Sequence, residues 1–196
     1  EDWDYGVFPS RFIRSEHLKS GSWPNSKSVH TVSASGVPLL SIEKNTDKSA
    51  YLGQQAVKNR QWAQASQYFQ QEIQNHPDNE LAWIGLANAY LNTGNFDQAL
   101  QAADEALKVA PKVEAAQLYK GMANLNTQRF QEAILAFQEA IQVNDEYFAA
   151  YYYMALAYEQ TGNTQQAFEA AQKAIEVNPR FRGSYELAAR LLEKAG

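Results

Sequence analysis

An all-helical stack of antiparallel helix pairs is the fold class this sequence predicts, and three observations predict it. Small residues return every 34 positions, as Gly53, Ala87, Gly121 and Ala155 in one column and Ala65, Ala99, Ala133 and Ala167 in another. Between them, apolar residues recur at helical spacing, for example Trp83, Leu86 and Tyr90 at i, i+3 and i+7. Pro77, Pro111 and Pro179 mark a further column, interrupted by Asp145, where the missing N–H and the ring must end a helix.

The chain divides near residue 45. Residues 1 to 45 hold nine Ser and no Gln, whereas residues 46 to 196 hold three Ser and nineteen Gln. The first part scatters Gly6, Pro9, Gly21, Pro24, Gly36 and Pro38 too closely for long helices, so it reads as an extended or turn-rich arm. Two weak strand signals, at 29–32 and 37–42, flank Ser35-Gly36. Too short to bury a core of its own, this arm nonetheless carries Trp3, Tyr5, Phe8, Phe12 and Trp23 as candidate anchors. They call for a partner, either a groove of this chain or of a neighbouring copy, or the outer side of the first repeat.

From residue 46 the units fall at about 46–79, 80–113, 114–147 and 148–181, with a capping segment at 182–196. First helices are expected at about 47–59, 80–92, 114–126 and 148–160, and second helices at about 62–75, 96–109, 130–143 and 164–177. Two helices approach closely only where both side chains are small, so Gly53 with Ala65, and Ala87 with Ala99, mark their crossings. Phe69 and Phe137 fill the space beside them. Gly94 and Gly162 supply left-handed backbone in two of the helix–helix turns; the other two read Asn59-Arg60-Gln61 and Thr127-Gln128-Arg129. A last helix from about Arg182 repeats the opening of a unit, with Tyr185, Ala188, Ala189 and Leu192. Gln117, Lys120 and Asn124 put polar groups where the other units favour bulk, which weakens the third unit.

The pattern resembles the tetratricopeptide repeat over about three quarters of the chain. That resemblance implies a right-handed superhelical solenoid whose first helices line a concave groove, through unit positions 2, 5, 9 and 12. Of the sixteen residues at those positions, twelve are apolar, so the groove is expected to take a hydrophobic or aromatic peptide. Candidate contacts are Gln54, Leu81, Ile84, Asn88, Leu118, Met122, Tyr152 and Leu156, joined by Tyr51, Tyr119 and Tyr153 at position 6, whose flat amphipathic rings suit peptide contact. Some of these residues, those at position 12 above all, serve to pack neighbouring units. One branch of the family clamps chaperone carboxylates with Lys and Arg; Asn88 fits that arrangement, but the basic pair is missing.

Composition narrows the function. A net charge of -5 and a pI near 5.3 provide no basic stripe for nucleic acid. No run approaches the length of a membrane span. Without cysteine there is no thiolate ligand or nucleophile, and His17, His30 and His76 lack metal-ligand spacing, so no cofactor or metal is expected. No phosphate loop or nucleophile elbow occurs, and the solenoid reads as a binding scaffold or assembly adaptor rather than an enzyme. Rival readings are a secretion-type chaperone for a hydrophobic client, a protein that self-associates through its arm, and the regulatory part of an enzyme. Glu1 is expected to follow signal removal or trimming, with the bacterial envelope favoured over the cytoplasm.

Overall fold

The computed structural model describes residues 45–195. The arm anchors Trp3, Tyr5, Phe8, Phe12 and Trp23, and both strand signals, lie outside the described residues. Those described residues form α1 (Asn45–Lys58), α2 (Trp62–Asn75), α3 (Glu80–Asn92), α4 (Phe96–Val109), α5 (Glu114–Asn126), α6 (Phe130–Val143), α7 (Phe148–Gln160), α8 (Thr164–Val177) and α9 (Arg182–Ala195). No strand occurs among them. The 34-residue period places α2 to α8 as expected, and α1 begins two residues earlier than the sequence signals.

Each unit is a helix, a tight turn, and a second helix lying back on the first. The turn closes in the same way in all four units: the amides of Gln61, Asn95, Arg129 and Asn163 donate to the carbonyls of Ala56, Tyr90, Asn124 and Tyr158, at 2.8 to 3.0 Å. Such a closure requires left-handed backbone just after the helix. Gly94 and Gly162 provide it at φ 76°, while Arg60 and Gln128 adopt it at φ 55° and 61° despite carrying side chains. Asn79 caps α3 by accepting the Ala82 amide at 3.3 Å. Unit junctions repeat as well: the Trp83 indole donates to the Pro77 carbonyl at 2.8 Å, and the Tyr185 hydroxyl to the Pro179 carbonyl at 3.1 Å.

Helix crossings follow residue size. Ala65, Ala87, Ala99, Ala133, Ala155 and Ala167 are completely buried, as are the rings of Phe69 and Phe137. A Cβ added to Gly53 would lie 2.7 Å from the Phe69 ring, and one added to Gly121 would lie 2.3 Å from Phe137. Glycine there makes room for an aromatic ring; where the facing residue is Ala103 or Ala171, alanine suffices. In the third unit Gln117 and Asn124 are buried all the same, and Lys120 escapes to an ion pair with Asp104 at 2.9 Å.

Candidate functional site: the concave face

The first helices α1, α3, α5, α7 and α9 touch one another in succession, whereas the second helices contact only first helices. The row of first helices therefore lies on the inside of the curve, and the second helices present the outer face. Gln67, Gln70, Gln71, Gln74 and Gln138 lie on those second helices, where neutral amides keep the outer face solvated. Gln70 also donates to the Tyr90 hydroxyl at 2.6 Å.

Along the inner row the expected contact residues differ in exposure. Tyr51 is open to solvent, and Gln54, Leu81, Tyr152 and Leu156 are half-buried. Ile84, Asn88, Leu118 and Met122 are buried. Tyr119 and Tyr153 correct the expectation of flat surfaces presented to a ligand, because both are buried. Their position faces the preceding unit, as Gly85 shows: a Cβ there would meet the Phe69 ring at 2.4 Å. Tyr153 stacks on Phe137 with ring centroids 6.0 Å apart, and burial holds the Tyr119 phenol well above its ordinary pKa.

Asn88 is the polar exception in the middle of the row. Its Oδ1 accepts from Asn92 Nδ2 at 2.9 Å, while its own Nδ2 has no hydrogen-bond acceptor. A buried N–H without an acceptor costs about 1–3 kcal/mol.

The far end of the row holds a group that sequence reasoning missed. Glu159, at position 12 of the fourth unit, has a side chain only 6% exposed. Arg190 Nη2 and Nε donate to its two oxygens at 2.8 and 3.1 Å, and Lys194 donates to Oε1. Hydrogen bonding from Arg190, with that from Lys194, lowers the Glu159 pKa against the opposing effect of burial; the same bond raises the pKa of Arg190. Beside it, Tyr152 meets Phe181 edge to face at 5.2 Å, and Phe148 lies 5.4 Å from Phe181. The signal was a Glu at position 12 of α7 followed, 31 residues later, by an Arg at position 9 of α9.

Among the described residues, no group of three or more His, Asp or Glu side chains could hold a metal ion, and no helix is long and apolar enough to cross a membrane.

Helix pairs repeating at 34 residues, small residues at each crossing and an inner row of first helices define a helical-repeat solenoid of the protein-interaction kind. The chain matches the family model described as Tetratricopeptide repeat over residues 52–108 and 84–147, and a second model of that description over residues 148–181. It belongs to the tetratricopeptide repeat family. Among solved structures it is similar to the MamA protein, at 25% identity and a TM-score of 0.67, covering 77% of this chain and 82% of that one. A MamA from Desulfovibrio magneticus RS-1 is 19% identical at a TM-score of 0.68, covering 76% of this chain and 85% of the other. TTC0263, a thermophilic TPR protein in Thermus thermophilus, is 18% identical at 0.67, with coverage of 76% and 82%. The last two likenesses concern the fold alone. Comparison with curated protein sequences gives no match.

Proposed function

We propose that this chain is a protein-interaction scaffold that receives an apolar or aromatic peptide segment along its concave face. The observation that carries the reading is the apolar surface of the inner row, where Tyr51 is exposed and Leu81 half-buried. Such side chains reward burial of a ligand's apolar groups. Tyr152 and Leu156, half-buried on α7, extend the same surface.

An immobilised array of decamer peptides tests the reading. Wild-type protein is expected to select spots bearing Trp, Phe or Leu. Tyr152→Ala and Met122→Ala should lose that selection while keeping their helical circular dichroism. Equal binding by all three proteins would sink the groove assignment.

A further inference from the structure

The inner row changes character at its last helix. Where the second, third and fourth units carry Asn88, Met122 and Leu156, α9 carries Arg190, with Lys194 one turn later. Both cations serve Glu159, yet their side chains stay 51% and 53% exposed. Two positive charges thus face one carboxylate, in a chain whose net charge is -5. Tyr152 lies on the helix that carries Glu159, and its ring adjoins the half-buried cluster of Phe148 and Phe181. One end of the concave face therefore joins an aromatic cluster to two half-exposed cations.

We propose that this end of the concave face is the docking site of residues 1–8 of the same chain, so that the N-terminal arm competes with outside peptides for the groove. The inference rests on the concave face being the binding face. Residues 1–8 read Glu1-Asp2-Trp3-Asp4-Tyr5-Gly6-Val7-Phe8: three carboxylates and three aromatic rings, with no Lys or Arg. That composition complements the site in both respects, because the rings find aromatic partners and the acids find the half-exposed cations Arg190 and Lys194. Reach is sufficient. The residues between Phe8 and the start of α1 at Asn45 extend to about 100 Å, while five first helices packed about 10 Å apart span about 40 Å. Tethering within one chain also raises the local concentration of the segment to roughly millimolar.

Photo-cross-linking of the full chain tests this, with Trp3→p-benzoylphenylalanine as the probe and light scattering to fix the mass. Expected are links within one monomer to peptides containing Tyr152 or Phe181, cut severalfold by Asp2→Asn with Asp4→Asn and by salt of about 0.5 M. Links confined to other parts of the solenoid, links between chains, or indifference to charge would overturn the docking. The variant Asp2→Asn, Trp3→Ala, Asp4→Asn changes none of the described helices and should bind aromatic array spots about tenfold more tightly than wild type. Equal binding by the two proteins overturns the competition while the scaffold reading stands. Binding by neither removes the scaffold reading, and the cross-links then decide the docking alone.

Discussion

The odd and even units solve one packing problem in opposite ways. Units one and three set glycine on the first helix, Gly53 and Gly121, against a phenylalanine on the second, Phe69 and Phe137. Units two and four set alanine against alanine, Ala87 with Ala103 and Ala155 with Ala171. The alternation extends to the turns, which use Gly94 and Gly162 in the even units but force Arg60 and Gln128 into left-handed backbone in the odd ones. What the fold holds constant is the volume at each crossing and the path of each turn, and residue identity follows from those two requirements.

The comparison can be broken most forcefully at Phe137. Phe137→Ala should cost about 3–5 kcal/mol by opening a cavity, and Gly121→Ala about 1–3 kcal/mol by driving a methyl into the ring. The double variant recreates the pair found in the even units, so urea denaturation should give a loss at least about 1 kcal/mol smaller than the sum of the two. Strict additivity would mean that the two positions do not share one space.

The next effect belongs to the last helix. Glu159→Gln should cost about 1 kcal/mol, modest because both cations are half exposed. Since the folded-state pKa of Glu159 is lowered, its contribution is present above the ordinary value of 4.5 and disappears as pH falls through the lower folded value. Wild-type and variant melting temperatures should therefore differ at neutral pH and converge in acid; a gap independent of pH would show that the carboxylate's charge is irrelevant.

Smaller changes sharpen the contrast from the other side. Gln117 is buried with Oε1 lacking a donor, and Gln117→Leu should stabilise the third unit by about 1 kcal/mol in denaturation. Gln128→Gly, which gives an odd turn the even units' residue, should add about 0.5–1 kcal/mol, whereas Gly94→Ala should remove a similar amount.

Most of the fold was legible because its constraints are local and repeated. Proline stops, small residues at the crossings and the 34-residue period place α2 to α8 without knowledge of the stack. The left-handed turns at Arg60 and Gln128 were not legible, since neither residue type signals positive φ; the closing hydrogen bond imposes it. The inner row was legible as a pattern, but the depth of Ile84 and Asn88 was not, because burial on a curved surface depends on how tightly the units wind. The Glu159 group escaped notice for a related reason. A lone charge usually stays in solvent, and here its partners arrive from another helix, 31 and 35 residues away.

Phe69 has one more consequence. Its ring lies against the backbone of Gly53 in its own unit and of Gly85 in the next, and Phe137 likewise reaches Gly121 and Tyr153. At the junction between units two and three the matching side chain is Ala103, and the bulk comes from the other partner, the buried Tyr119. Loosening either ring therefore exposes two units at once, so a cavity made at Phe69 should lower the amide-exchange free energy of units one and two together, and one made at Phe137 that of units three and four together.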